Sequence, residues 1–265
     1  MRDTAFAGYF YPRDKEEIEE FISKNSLKET TFSYKKLIGL IVPHAGYKFS
    51  GKTAISAYKI IDKEYTNIII IGPCHDCLSG KAYIDDNDWD TPFGIIKVNK
   101  EITEKLIESG YVSLSKEVNA KEHSIEVQLP LLKYFIKNDF TIVPIILADQ
   151  SKEFILKLTK TIENVITDDT LIIISSDLNH YEDKETTTRK DMALVEKIEK
   201  LDIEGMYSVI KNKRVSACGY GGIAVLMQIT KDMKGKLKMI MHSDSSMENN
   251  DNDFTVGYSS MIAYL

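Results

Sequence analysis

Cysteine is scarce in this chain of 265 residues, and its scarcity excludes one class of folds. The three cysteines, Cys74, Cys77 and Cys218, are too few and odd in number for the disulfide framework of a small secreted protein. In a reducing compartment, thiols are more often buried, catalytic or metal-binding. Each of the three is therefore a candidate site residue.

Long apolar runs and blocks of basic residues are also missing. No run reaches the roughly 18 residues of a membrane-spanning helix, and the N-terminus lacks the apolar centre of a signal peptide. The net charge is -6, and Lys and Arg alternate with Asp and Glu. We therefore expect a cytoplasmic protein that binds neither a membrane nor nucleic acid, and no nucleotide cofactor is indicated.

The hydrophobic content of 43% is sufficient for a sizeable core, and predicted strands alternate with predicted helices. This pattern predicts a single α/β domain over residues 1–265, with a mostly parallel central sheet flanked by helices. Residues 5–12 are too apolar for a free tail and should pack on the core. Predicted strands cover 36–42, 67–71, 140–147, 170–176, 236–243 and 254–264, with a β excursion over 81–98. Predicted helices cover 15–24, 52–62, 100–109, 151–165, 186–200, 202–211 and 222–231, and helical spacing over 122–132 is interrupted by Pro130.

Three apolar strands are each followed by a polar segment that carries a histidine. His44 follows the first strand, His75 lies in a loop over 73–80 after the second, and His180 comes three residues after Asp177 at the end of a third. Ligands bind outside the carboxyl ends of the strands in open α/β sheets. Because parallel strands end at one edge, we expect these side chains to form one site.

The cysteines allow more than one interpretation. Cys218 precedes Gly219 and an apolar helix, whose N-terminus would favour the thiolate and make this the most reactive thiol. It could complete a metal site with two histidines, or it could be a small buried apolar residue. Cys74 and Cys77 have the spacing of a redox dithiol, although a thioredoxin-like context is not obvious.

Asp177 and His180 also have two interpretations. With Ser175 and Ser176 they could suggest an acyl-transfer enzyme, but no Gly-x-Ser-x-Gly elbow supports it. Alternatively, His180 is a general acid or base that Asp177 orients. His123 could reach the site or cap its own helix.

Motifs along nearly the whole chain are shared with one known family. They are Gly8-Tyr9-Phe10-Tyr11-Pro12, Pro43-His44-Ala45-Gly46-Tyr47, Gly72-Pro73-Cys74-His75, Thr91-Pro92-Phe93-Gly94, Glu122-His123-Ser124-Ile125-Glu126, Ser175-Ser176-Asp177-Leu178-Asn179-His180-Tyr181, Cys218-Gly219 and Val256-Gly257-Tyr258. On these motifs the chain resembles the Memo family. The resemblance implies a fold similar to class III extradiol ring-cleaving dioxygenases, which use non-haem Fe(II).

The resemblance also implies a site. It places His44, His75 and Cys218 around a metal ion, iron or copper. It implies catalytic roles in the same pocket for His180, Asp177 and His123. It also implies that the aromatic residues Phe10 and Tyr47 contact the substrate. In place of the Ser and the second His that the family often has around His75, this chain has Cys74 and Asp76.

Two main functional hypotheses follow. The first is a metal-dependent redox enzyme, a dioxygenase-like oxidoreductase in which His180 moves protons. The second is a metal-binding adaptor without catalysis that presents its cleft to a peptide or partner protein, and a metal-free hydrolase is the third choice. The resemblance further implies a radical-SAM protein as a partner and a peptide or small molecule as the ligand of the cleft.

Overall fold

The computed structural model describes residues 1–26, 32–77 and 80–265. Residues 78 and 79 of the predicted loop lie outside the described residues. The strands are β1 Leu37–Val42, β2 Asn67–Pro73, β3 Ala82–Ile84, β4 Lys97–Val98, β5 Val112–Leu114, β6 Thr141–Leu147, β7 Thr170–Ser175, β8 His180–Glu182, β9 Lys236–Asp244 and β10 Thr255–Tyr264. The helices are α1 Lys15–Asn25, α2 Lys52–Tyr58, α3 Lys100–Glu108, α4 Lys116–Lys121, α5 Leu129–Phe135, α6 Lys152–Glu163, α7 Lys184–Glu199, α8 Ile203–Lys213, α9 Tyr220–Asp232 and α10 Ser246–Asn249.

Across the described ranges, the strands form one mixed sheet in the order β5-β3-β6-β2-β7-β1-β10-β8, with β4 beside β6 and β9 beside β10. The central strands β6, β2, β7 and β1 are all parallel to their neighbours in this group. Antiparallel strands extend the sheet beyond β1, where β10 pairs with β1, β8 and β9. The α/β fold with a mostly parallel central sheet is thus confirmed.

Two apolar layers cover the faces of the sheet, because successive side chains of a strand point to opposite faces. In β2, Ile69 and Ile71 belong to one apolar cluster, whereas Ile68 and Ile70 belong to the other. Helices α3, α6, α7, α8 and α9 pack in the first cluster, and α1, α2 and α5 in the second. Burial on both faces explains why these strands are continuous apolar runs instead of alternating ones.

The predicted elements agree with the structure except at a few points. Helix 52–62 is shorter and is preceded by a π-helical turn at Tyr47–Gly51. Over 122–132 the chain forms a 3₁₀ turn at Glu126–Gln128, and α5 then starts with Pro130 in its first turn, where the missing N–H costs no hydrogen bond. The short elements β5, α4 and β8 were not predicted. They are only three to six residues long, too short for a clear periodicity.

None of the described helices is long and apolar enough to cross a membrane.

The N-terminal segment packs on the core, as predicted, and a buried ion pair holds it there. Arg2 Nη1 lies 2.6 Å from Glu126 Oε2, with side chains only 5% and 1% exposed. The Arg2 guanidinium also lies over the Trp89 ring at 3.9 Å. The Glu126 carboxylate accepts further hydrogen bonds from the Phe6 N–H and the Tyr11 hydroxyl, each at 2.8 Å. Glu126 therefore fixes a segment that reaches the site described below.

Replacing Arg2 by alanine should lower the free energy of unfolding by about 3–5 kcal/mol, because it leaves a buried carboxylate without its cation. Urea denaturation measures this change. The matched control is Lys24→Ala, which removes the cation of an exposed pair with Glu20 and should cost less than about 1 kcal/mol. Equal effects of the two substitutions would contradict the assigned anchoring role.

Candidate metal centre

The site lies where three adjacent parallel strands end. In the order β2-β7-β1, His75 follows β2, Asp177 follows β7 and His44 follows β1. The sheet thus brings together side chains that are far apart in sequence. The expectation that these strand ends share one edge is confirmed.

Three histidines form a compact cluster at this edge. One possible ligand nitrogen from each of His44, His75 and His123 lies within 4.8 Å of those of the other two. The rings of His75 and His123 stack with centroids 4.6 Å apart. The His44 ring stands nearly perpendicular to both, with its centroid 5.3 Å from each. A metal ion could be held by these three side chains together.

The hydrogen bonds of His44 determine which of its nitrogens is free. Its Nδ1 lies 2.9 Å from Ser175 Oγ. That hydroxyl donates to the Ser124 carbonyl at 2.6 Å and accepts from Gln128 Nε2 at 2.8 Å. Since the hydroxyl proton is already used, Nδ1 of His44 must be the donor to Ser175. Nε2 therefore carries the lone pair that a metal ion needs.

Glu122 does the same for His75 through a hydrogen bond, and it lies close to His123 without a hydrogen bond to its ring. Its Oε1 lies 3.0 Å from Nδ1 of His75 and 3.3 Å from Nδ1 of His123. Its Oε2 also accepts from the His75 backbone N–H at 2.8 Å. A carboxylate that accepts from Nδ1 leaves Nε2 free, and this pairing is the usual support of a metal-binding histidine.

Burial and neighbouring charges separate the pKa values of these groups. Burial, then the positive charge of a nearby histidine, lowers the pKa of His44 to about 3 and that of His123 to about 4. Burial alone would lower the pKa of His75, but the hydrogen bond and charge of Glu122 raise it. Burial alone would raise the pKa of Glu122, but its hydrogen bond to His75 and the charge of His75 lower it to about 2. At neutral pH the imidazoles of His44 and His123 are thus neutral, and the imidazole of His75 is hydrogen-bonded to the Glu122 carboxylate.

Two glycines allow the loops to approach the strand ends. A Cβ at Gly72 would lie 2.5 Å from Ser124 Oγ, next to His123. A Cβ at Gly219 would lie 2.6 Å from the Ser175 carbonyl oxygen. Any larger residue at these positions would push the loops away from the sheet.

Comparisons with known proteins agree with the motifs found in the sequence. The family model of Memo-like proteins matches residues 2–262. The chain belongs to the Memo family. It is 40% identical to a MEMO1 family protein of Thermoplasma volcanium over 266 residues, which cover 99% of this chain and 98% of that protein. It is 38% identical to a MEMO1 family protein of Thermoplasma acidophilum over 267 residues, which cover 100% and 99%.

One solved structure is similar in fold. An uncharacterised protein from Escherichia coli K12 superposes with a TM-score of 0.54 at 9% sequence identity, covering 84% of this chain and 99% of that chain. This likeness concerns the α/β architecture alone.

The resemblance to the Memo family places Cys218 at the metal. In the structure, the Cys218 side chain does lie against the histidine cluster. Its Sγ is 3.3 Å from His44 Nε2 and accepts from the Asp177 backbone N–H at 3.2 Å. Burial and then the charge of Asp177 raise the pKa of this thiol. The raised pKa runs against the expectation that the helix N-terminus favours a thiolate, and that expectation stays a prediction for this partly exposed side chain. The thiol proton can be donated to the free Nε2 of His44.

Iodoacetamide should consequently alkylate Cys218 slowly in the native metal-free protein, at least roughly tenfold more slowly than in urea. Mass spectrometry of the labelled protein measures both rates. Equal rates in the native and unfolded protein would show that the thiol is accessible and reactive, as the sequence suggested.

Asp177 and His180 are held differently from the expectation. The Asp177 carboxylate accepts from the backbone N–H groups of His44, at 2.8 Å, and Ala45, at 3.3 Å. The His180 ring is instead fixed by its Nδ1, which donates to the Ser216 carbonyl at 2.9 Å. Asp177 thus positions the His44 loop, and the prediction that it orients His180 is corrected. Nε2 of His180 is left as a proton acceptor.

The two predicted substrate contacts have different surroundings. The Phe10 ring lies 4.4 Å from the His123 ring, so it covers one side of the cluster. Tyr47 is 3% exposed, and its hydroxyl donates to the Val127 carbonyl at 3.0 Å. Its backbone N–H donates to the Phe10 carbonyl at 2.7 Å. Tyr47 therefore supports Phe10 from the core, and both line one cavity, so a substrate contact of Tyr47 stays a prediction.

Three residues that hold a histidine ring by its Nδ1 were not assigned this role from the sequence. They are Glu122, Ser175 and Ser216. Glu122 and Ser175 had a signal that could have been used, because both lie in motifs shared with the family, whereas Ser216 had none. His242 lies outside the cluster and pairs with buried Asp191, Nε2 to Oδ2 at 2.9 Å.

Proposed function

We propose that this Memo-family chain binds one redox-active metal ion, iron or copper, at the histidine cluster and uses it as an oxidoreductase. The observation that supports this most is the arrangement of donors. Nδ1 of His44 and of His75 each donates to an oxygen, which leaves their Nε2 lone pairs free, and a ring nitrogen of His123 lies within 4.8 Å of the ligand nitrogens of both. Imidazole is a good ligand for iron and copper, and a thiol beside it adds a soft ligand that favours copper(I).

The ligand set is proposed as His44 and His75 with either Cys218 or His123 as the third member. The Memo resemblance favours Cys218, whereas the compact cluster favours His123. Binding of a metal would remove the thiol proton of Cys218, since a coordinating thiol is deprotonated. When bound, the ion would supply redox chemistry and Lewis acidity.

The remaining residues hold and protect the site. Ser175 and Glu122 fix the imidazole tautomers, and Asp177 fixes the backbone at His44. Phe10 shields one side of the cluster from water. His180 is the proposed proton acceptor, because its Nδ1 is committed to a carbonyl and its Nε2 is free.

Anaerobic purification followed by metal analysis and an oxygen-consumption assay tests this proposal. We expect one iron or copper ion per chain and a metal-dependent redox change. Binding of a metal without any redox change, with or without a candidate peptide, would favour the adaptor. The radical-SAM partner and the peptide or small-molecule ligand of the cleft stay predictions.

Removing the carboxylate that supports His75 should weaken the metal site. Glu122→Gln is expected to lower metal affinity about 10–100-fold, as is usual when the partner of a metal-binding histidine is lost. Glu117→Gln is the matched control, because Glu117 is exposed and pairs with Lys121. Calorimetric titration with the metal measures both variants. Equal affinity of the two would show that Glu122 does not support the site.

A further inference from the structure

His75 lies inside a small loop closed by a disulfide. Cys74 and Cys77 are bonded, with their Cα atoms 5.6 Å apart and His75 between them in sequence. The Cys74 backbone N–H donates to the Leu147 carbonyl at 2.9 Å, so this end of the loop continues the sheet. The other end is joined to it by the disulfide. The bond thus limits the movement of a histidine that belongs to the candidate metal centre.

A cavity of about 330 Å³ opens beside this disulfide. Both cysteines line it, together with three carboxylates, those of Asp76, Glu117 and Glu122, and the ammonium group of Lys121. Lys121 Nζ lies 2.9 Å from Glu117 Oε1, so this cation is already paired. The surroundings of the sulfurs are therefore negatively charged and would repel an anionic thiol.

One wall of the cavity is shared with the metal centre. Glu122 lines the cavity and also accepts from the backbone N–H and from Nδ1 of His75. Opening the disulfide frees the loop that these hydrogen bonds must hold. A chemical change at the sulfurs would in this way alter how firmly the His75 imidazole is held.

We propose that Cys74 and Cys77 form a thiol–disulfide exchange centre for neutral or cationic thiols, and that its disulfide form holds His75 in the metal centre. The exchange does not depend on a metal, whereas its effect on His75 rests on the proposed function. Neither half of this proposal involves Cys218.

One complete exchange consumes two external thiols. A thiolate attacks Cys77 Sγ, since both cysteines are partly exposed and Cys74 packs against an apolar cluster. The Cys74–Cys77 bond breaks, a mixed disulfide with Cys77 forms, and the Cys74 thiolate takes a proton from water. A second thiolate then attacks the external sulfur, releases a disulfide and leaves the Cys77 thiolate, which is protonated. The external thiols are oxidised by two electrons and the protein is reduced by two.

The first experiment measures exchange in the metal-free Cys218→Ser protein, in which only the proposed pair carries thiols. The probes are cysteamine, 2-mercaptoethanol and 3-mercaptopropionate at equal thiolate concentration, with acid quenching and mass spectrometry. We expect reduction by all three, several-fold faster with cysteamine than with 3-mercaptopropionate, and a smaller difference at high salt. In Cys74→Ser, cystamine should convert the lone Cys77 thiol into a mixed disulfide with release of one cysteamine, and this adduct should accumulate because no second protein thiol resolves it.

A pair that resists all three thiols in the native state but is reduced in urea would overturn the proposal, because the disulfide would then be purely structural. If Cys74 and Cys77, once reduced, remain free thiols in the presence of cystamine, the proposal is overturned as well. Fastest reaction with 3-mercaptopropionate would contradict the assigned substrate class.

The second experiment measures Co²⁺ affinity of the oxidised protein, of the reduced protein after anaerobic removal of reductant, and of the Cys74→Ser/Cys77→Ser variant. We expect about 10–100-fold weaker binding once the disulfide is open, comparable to the loss of another support of a metal-binding histidine. The double variant should bind like the reduced protein and be insensitive to reductant. Equal affinities in all three overturn the coupling. Absence of binding in every form refutes the proposed function, while the first experiment still decides the exchange.

Discussion

Replacing His44 by alanine should reduce metal affinity at least about 100-fold. This is more than the effect expected for Glu122→Gln, because the substitution removes a ligand instead of the group that supports one. His44 is 1% exposed and its Nε2 is the nitrogen left free by Ser175. Calorimetric titration under anaerobic conditions measures the change for the wild type and the variant.

Two controls separate loss of the ligand from loss of the fold. His44→Gln keeps a polar side chain in the buried position, and its thermal midpoint should stay closer to that of the wild type. His242→Ala removes an imidazole that pairs with Asp191 instead of belonging to the cluster, and its metal affinity should not change. Equal metal affinity of wild type and His44→Ala would exclude His44 as a ligand.

The same titration identifies the third ligand. If Cys218 is the third ligand, Cys218→Ser should weaken binding as strongly as His44→Ala, while His123→Ala should have a smaller effect. If the compact histidine cluster holds the metal, the order of the two variants is reversed. A four-ligand site would be affected by both substitutions.

The His180→Ala protein should retain its metal but lose about 10²–10⁴-fold in the rate of any metal-dependent reaction, the usual contribution of a general acid or base. Its ring is held at Nδ1 by the Ser216 carbonyl, so only Nε2 is available to accept a proton. Metal content and oxygen consumption must be measured on the same samples.

Asp177→Asn gives a matched comparison with His180→Ala. Because the Asp177 carboxylate accepts from the backbone of His44 and Ala45, its substitution should mainly affect metal affinity. A His180→Ala protein without metal would show that His180 is a ligand and that the proposed roles are wrong. A His180→Ala protein with normal metal content and normal rate would remove the proton-transfer role.

The location of the site could be predicted because it follows from the sheet. His44 and His75 stand directly after apolar runs that can only be buried parallel strands, and the carboxyl ends of such strands lie together. The packing of the N-terminal segment followed in the same way from the apolar residues around Phe10. These features depend on the local periodicity of the apolar residues and on the general rule that parallel strands of an α/β sheet end at one edge.

The detailed contacts could not be predicted because they depend on distances between loops. Nothing in the sequence shows that Glu122 accepts from Nδ1 of His75, or that Ser175 determines the tautomer of His44. The position of Cys218 near a helix N-terminus was visible, but its enclosure by Asp177 and His44 was not. That enclosure reverses the expected direction of its pKa shift.

The most direct test of a metal held by this cluster is X-ray absorption spectroscopy of the protein loaded with one Zn²⁺ per chain. Zinc is bound by histidine nitrogen at about 2.0–2.1 Å and by cysteine sulfur at about 2.3 Å, so the two ligand types are distinguishable. We predict the multiple-scattering pattern of at least two imidazoles, which is weakened or lost in His44→Ala, and a sulfur shell only if Cys218 is a ligand. A spectrum without imidazole scattering, or one unchanged by His44→Ala, would contradict the proposed metal centre.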